Sequence, residues 1–316
     1  MIRDQLLNGG QYKPSFSGHE TFPFRYGWLK KGFDEVADRE NMAAFQMFKD
    51  TDAIATFGVG KNMVTSIRYW LNAVGLVSES SKAVAPSEFG HWLLGEEGRD
   101  PYLEARDSLF LIHWQLCGAP AMQADNHKTT SWYLVFNHFP DLVFDKPDLV
   151  LFLEEVIAEN QWSSVATATL ERDIDCLIRM YVPSTQGAIS EESLDSPMSE
   201  LGLIHKISER KKFGFNCGPK PTLSKRVFYY ALMEFWSSSG EKSSLAIDRI
   251  LHDPGSPGRV FKITKQSLAE IIDSAFLDTE GALDWTQTAG LSQLTLRKDY
   301  SPMDAYEAMS RTHENV

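Results

Sequence analysis

The string GVGKN, Gly58 to Asn62, has the residue types for holding an anion: glycines for a turn, backbone amides and a lysine at a helix start. A nucleotide-phosphate loop further requires glycine five residues before Gly60 and Ser or Thr after the lysine. Ala55 and Asn62 occupy those places, and the preceding segment reads as helix rather than strand, so ATP chemistry is disfavoured. HETFP, His19 to Pro23, starts like a zinc-protease helix, but Pro23 stands where the second histidine belongs and would disrupt a helix. His19, Glu20 and Arg25 then form a candidate polar cluster that orders the N-terminal segment or joins a DNA site. Asn126-His127 and Asn137-His138 lack a metal nuclease's strand–helix context. Asp141, Asp145, Asp148, Glu154 and Glu155 offer magnesium-type oxygens, though in an acidic chain they read as a solvated face.

The residues after Gly60 point to nucleic acid. Met63, Val64, Ile67, Trp70, Leu71 and Val74 recur at helical spacing, and Gly75 suits a helix stop. Lys61, Asn62, Thr65, Arg68, Tyr69 and Asn72 fall on the remaining surface, where they can reach phosphates or base edges, Tyr69 by stacking. The alternative is an amphipathic helix whose polar face meets solvent or another protein. Thr51 to Phe57 supplies the first helix of a helix-turn-helix. Leu76–Glu79 and Lys82–Ala85 flank a Ser-rich turn, so Lys82 approaches phosphate from a wing.

Net charge is −12, which argues against a protein that coats DNA nonspecifically, but the charge is uneven. Residues 148–200 hold eleven acids against Arg172 and Arg179; residues 205–226 hold seven bases against Glu209. Lys211, Lys212, Lys220, Lys225 and Arg226 in that basic run extend the expected DNA track, unless the run pairs with the acidic stretch.

The elements that must position these residues form three blocks: an N-terminal winged helix-turn-helix at 1–98, a central helical domain at 99–212, and a C-terminal helical domain at 213–316. Expected helices include Arg25–Val36, Ser87–Leu94 opened by Pro86 and Ser87, Tyr102–Cys117, Asp148–Asn160, Thr167–Val182, Leu223–Trp236, Ser243–Leu251 and Thr264–Ala275. Leu283–Leu296 reads as a hairpin, which suits a second winged helix. The fold class is mainly α with small β-hairpins, α+β. Trp70, Trp92, Trp114, Trp132 and Trp236 are core anchors. Cys117, Cys176 and Cys217 lack metal spacing and read as free thiols. With no long apolar run and no signal-peptide core, a cytoplasmic, membrane-free protein is expected.

FSGHETFPFRYGWLKKG (Phe16 to Gly32) and GVGKNMVTSIRYW (Gly58 to Trp70) resemble the bacterial domain of unknown function four-thousand-and-seven. DPYLEARDSLFLIHWQL, DSPMSELGLI and KPTLSKRVFYYAL extend the resemblance over nearly the whole chain. It implies an SspB-type component of a DNA phosphorothioation and phage-defence system, encoded beside sulfurtransferase or reductase-like partners. In that role it nicks or presents one strand for sulfur insertion. Nicking implies a divalent metal such as magnesium; no catalytic residue is identified, and a homodimer is compatible. The alternatives are a winged-helix adaptor or transcriptional regulator without enzymatic activity, and a protein-binding scaffold.

Overall fold

A computed structural model describes residues 12–39, 47–48, 51–80, 83–118, 120, 129–183, 196–207, 211–288, 291–298 and 301–313. The architecture is α+β: helices surround three small antiparallel sheets.

In the first block, α1 (Trp28–Asp38) buries Trp28, Leu29, Gly32, Phe33 and Val36, a stripe at helical spacing. Gly32 is needed at the crossing, because a Cβ there would lie 2.6 Å from Leu71 Cδ1. Helix α2 (Thr51–Phe57) meets α3 (Lys61–Ala73) across a short turn in which Gly58 takes φ +63°. Gly75 (φ +68°) ends α3 as a left-handed cap, with Leu76 N–H donating back to Leu71 O at 3.0 Å. The chain then enters the hairpin β1 (Val77–Glu79) and β2 (Val84–Pro86), registered Val77↔Pro86 and Glu79↔Val84. Ser87 accepts from Gly90 N–H and starts α4 (Glu88–Leu94).

In the middle block, α5 (Arg106–Cys117) is buried from Ser108 onward and α6 (Thr130–Asn137) along its whole length. Such helices carry no polar stripe, and α6 has no counterpart among the expected helices. β3 (Val143–Phe144) precedes α7 (Lys146–Glu159), which opens with a capping box of Asp145 and Asp148. α8 (Thr167–Tyr181) and a 3₁₀ turn (Pro197–Leu201) follow. β4 (Ile204–Ile207) and β5 (Lys212–Phe215) then complete a sheet of order β3-β5-β4 that periodicity did not foretell.

The last block runs α9 (Lys225–Ser238), β6 (Ser244–Ala246), α10 (Ile247–His252), α11 (Pro257–Val260), α12 (Lys265–Ile272), α13 (Ala275–Asp278), β7 (Leu283–Thr288), β8 (Leu291–Leu296) and α14 (Pro302–His313). The expected helix Ser243–Leu251 is therefore a short strand followed by a helix. β6 pairs with β8, giving the order β6-β8-β7.

One continuous apolar core joins the blocks. The rings of Trp70 and Trp132 meet edge-on at 5.4 Å, and Trp92 stacks on Tyr230 at 5.9 Å and meets Tyr306 at 5.0 Å. All five tryptophans thus pack into the interior or its margin. Among the described residues no helix is long and apolar enough to cross a membrane.

Candidate nucleic-acid interface

Helix α3 presents Lys61, Asn62 and Thr65 to solvent and carries no acidic residue. Its N-cap, Gly60, is extended (φ −64°, ψ 159°) and supplies no side-chain acceptor, so the first-turn amides lack a side-chain cap. A Cβ built on Gly60 meets nothing within 4 Å, so the space beside the cap residue itself is open. A second cation stands at the turn: Lys31 Nζ donates to Phe57 O at 2.9 Å, capping α2, and lies 3.9 Å from a Cβ built on Gly58. Sequence reasoning missed Lys31, because the turn it joins lies 26 residues further along the chain.

Arg68 and Tyr69 do not present themselves as expected. The Arg68 guanidinium grips Glu79 on β1 through Nε (3.1 Å) and a terminal nitrogen, while Asn72 Nδ2 donates to the same carboxylate at 3.0 Å. These three residues tie α3 to its hairpin, so the Arg68 charge is committed within the fold. Tyr69 is buried, at 7% exposure, with its ring edge-on to Trp70 at 4.8 Å and beside His19 at 5.7 Å. Burial pushes its hydroxyl well above the ordinary tyrosine range. The covering segment is the N-terminal one: a Cβ on Gly18 would sit 3.0 Å from Tyr69 Cδ2. Tyr69 is thus corrected from a surface aromatic to a core one. Lys82 lies outside the described residues.

His19, Glu20 and Arg25 do not converge. His19 Nδ1 accepts from Thr21 N–H at 3.1 Å, so the ring proton belongs on Nε2, which donates to Asp173 Oδ1 at 2.9 Å. Asp173, on α8, also accepts from Ser17 N–H (2.8 Å) and the Ser131 hydroxyl (2.6 Å). This buried network ties the N-terminal segment to the central bundle. Glu20 is exposed, and Arg25 lies over the Trp28 ring at 5.4 Å.

The basic run divides. Lys206 and Lys211 are exposed and Lys212 half-buried on the β4–β5 hairpin. Lys220 turns inward, donating to Gly218 O (3.0 Å) and Lys262 O (3.3 Å), and burial lowers its pKa. Lys225 pairs with Asp278 at 3.0 Å, and Arg226 pairs with Asp107 at 3.2 Å while lying over Tyr306. The continuous track expected from the sequence is therefore interrupted at Lys220, Lys225 and Arg226. Lys220 is held by carbonyls, and the carboxylate partners of Lys225 and Arg226 lie outside the acidic stretch, so the pairing expected with residues 148–200 is not what engages them.

The remaining chemistry-bearing groups have local duties. Asn137 Nδ2 donates to Cys117 O (2.7 Å) and Tyr133 O (2.9 Å), and its Oδ1 accepts from Gly255 N–H (2.8 Å). Asp145 and Asp148 are spent on the α7 cap. Asn126 and His127 lie outside the described residues. Cys117 and Cys176 are buried free thiols and Cys217 is exposed. Among the described residues, no group of three or more His, Cys, Asp or Glu side chains could hold a metal ion.

The model of the family "Protein of unknown function (DUF4007)" matches residues 16–311. A crystal structure of magnesium-bound SspB superposes with a TM-score of 0.83 at 30% identity, over 96% of this chain and 89% of that one. A second SspB crystal structure gives a TM-score of 0.83 at 29% identity, over 99% of this chain and 91% of that one. No curated protein matches the chain. With the family match spanning nearly all of the chain, it belongs to the DUF4007 family and is a DUF4007 protein of the SspB type.

Proposed function

We propose that this protein is the DNA-engaging component of a phosphorothioate-modification and phage-defence system. In this reading it presents or nicks one strand for a sulfurtransferase or reductase-like partner, and the blocks 1–98, 99–212 and 213–316 act as its working units. The carrying observation is the exposed, acid-free face of α3, with Lys61, Asn62 and Thr65 beside an uncapped N-terminus and Lys31 at the turn. The order α1–α2–α3–β1–β2 supports a winged helix in this block. The order α9–β6–α10–α12–β7–β8, with sheet order β6-β8-β7, supports a second one. Lys206, Lys211 and Lys212 are the cations available to lengthen the contact.

The reading is tested by anisotropy of a labelled duplex across a salt series. Lys61→Ala is expected to weaken binding at every salt concentration and to reduce the slope of log affinity against log salt by about 1. Unchanged affinity and slope would sink the α3 assignment. Supercoiled plasmid with added magnesium then separates the two roles. Conversion to open circle by wild type, lost in Lys61→Glu, supports nicking; binding without conversion supports strand presentation. Magnesium is the ion to add because a solved SspB structure holds it.

A further inference from the structure

A second concave site lies away from α3, between the end of α6, β5 and the α10–α11 turn. It is a cleft of about 140 Å³ whose lining includes Asp141, Cys217, His252, Arg259 and Lys262. Lys262 follows α11 in a left-handed conformation (φ +55°), while Ile263 N–H closes the turn on Gly258 O at 3.0 Å. That position ordinarily belongs to glycine or asparagine. A lysine held there is a strained choice that sends a charged side chain inward. Its Nζ donates to Phe136 O at 2.6 Å and sits 4.0 Å from the centre of the Phe215 ring. Two further ammonium protons remain for another acceptor.

The charges around Lys262 are unbalanced. Arg259 and Lys220 act on it as like charges, and the groups that oppose them are the sulfurs of Cys217 and Cys117 rather than a carboxylate. Arg259 Nε donates to His252 O at 3.0 Å, but among the described residues its guanidinium forms no ion pair. Burial, with Arg259 and Lys220 beside it and against the two sulfurs, lowers the Lys262 pKa to about 7. Against Arg259, Lys262 and Lys220 the lining sets one carboxylate among the described residues, the exposed Asp141, which pairs with none of them. The partly desolvated cleft therefore keeps a net positive charge that an anion would offset together with the desolvation.

We propose that this cleft binds an oxyanion of the phosphate class, with the Lys262 ammonium and the Arg259 guanidinium as its charge partners. The guanidinium presents a planar fork to two oxygens and the ammonium a point charge to a third. Cys217 opens on the same cleft and reports its occupancy. The site stands apart from the α3 reading, and the two fail separately.

The test uses inorganic phosphate as the probe, at constant ionic strength, in calorimetry and thermal melts of the full chain. Wild type is expected to bind phosphate and to melt higher in its presence. Arg259→Gln and Lys262→Met are each expected to bind at least about tenfold more weakly, as the loss of one charge-assisted contact requires. Lys242→Gln, at an exposed lysine belonging to neither site, is expected to keep the full response. If Lys262→Met does not fold, Arg259→Gln decides, since its side chain is only half-buried. Phosphate should also slow iodoacetamide labelling of Cys217 in wild type and not in Arg259→Gln. No phosphate response in wild type, or an equal response in Arg259→Gln, overturns the proposal. Competition by a 5′-phosphorylated oligonucleotide but not its unphosphorylated twin assigns the oxyanion to a strand end. Equal competition by both assigns it to the backbone, and competition by neither to a free phosphate; each of these supports the site.

Discussion

Asp173 joins the N-terminal segment, α6 and α8 through one buried carboxylate. Asp173→Ala removes the acceptor of three donors at once: Ser17 N–H at 2.8 Å, His19 Nε2–H at 2.9 Å and the Ser131 hydroxyl at 2.6 Å. The carboxylate is 1% exposed, so water does not replace it freely. A buried donor left without an acceptor costs about 1–3 kcal/mol. The Ser131 hydroxyl can rotate and the N-terminal segment can rehydrate in part, so the sum should settle at about 3–5 kcal/mol. Unfolding entropy near 2.1 cal/mol/K per residue gives about 0.66 kcal/mol/K for 316 residues, and hence a Tm lower by about 5–8 °C. Asp173→Asn keeps a carbonyl for Ser17 and His19 and turns its amide to Ser131, so it should lose only about 1–2 kcal/mol. Calorimetric melts and urea titrations followed by tryptophan fluorescence read these values, and limited proteolysis should cut Asp173→Ala first before Trp28. The reasoning is refuted if Asp173→Ala stays within about 0.5 kcal/mol of wild type. It is equally refuted if a double-mutant cycle with His19→Ala gives no coupling.

Arg68→Ala should cost about 1 kcal/mol through the loosened β1–β2 hairpin, and should reduce DNA affinity less than Lys61→Ala does, as melts and anisotropy will read. Burial pushes Glu234, between the Trp114 indole and the Tyr230 hydroxyl, up to about 7 from 4.5. A raised carboxyl pKa gives stability that is complete below pH 4.5 and lost as pH rises through 7, at most about 3 kcal/mol. Glu234→Gln should lack that loss. His113, lowered to about 3 by burial, works in the opposite sense between about 3 and 6.5 in both proteins and cancels when their melts are subtracted. Thiol titration of the native protein should label Cys217 rapidly and Cys117 and Cys176 only on unfolding, since both of the latter are buried with thiol pKa values pushed up.

Much of the local structure was legible in residue order. The apolar stripe of α3, the glycine turn at 58, the left-handed glycine at 75, the helix start at Ser87 and the Leu283–Leu296 hairpin each depend on a few neighbouring residues, and each has a short-range signature. Helix α6 and the β3-β5-β4 sheet were not legible. One is buried on every side and so has no amphipathic period; the other joins strands of two to four residues across a gap of about 70.

For the candidate interface, the sequence by itself determined which side chains are polar and that α3 has one apolar face. Tertiary structure alone decided which polar residues stay free. Tyr69 is covered because a segment some 50 residues upstream packs on it, and Arg68 is neutralised by a glutamate on the next strand. Asp173 meets His19 across 154 positions, and Lys262 acquires its setting from Phe136 and Phe215, 126 and 47 residues before it. Helical periodicity records the chemistry of a face. What comes to rest on that face, and which charges it neutralises, depends on contacts between segments distant in the chain, which local spacing cannot encode.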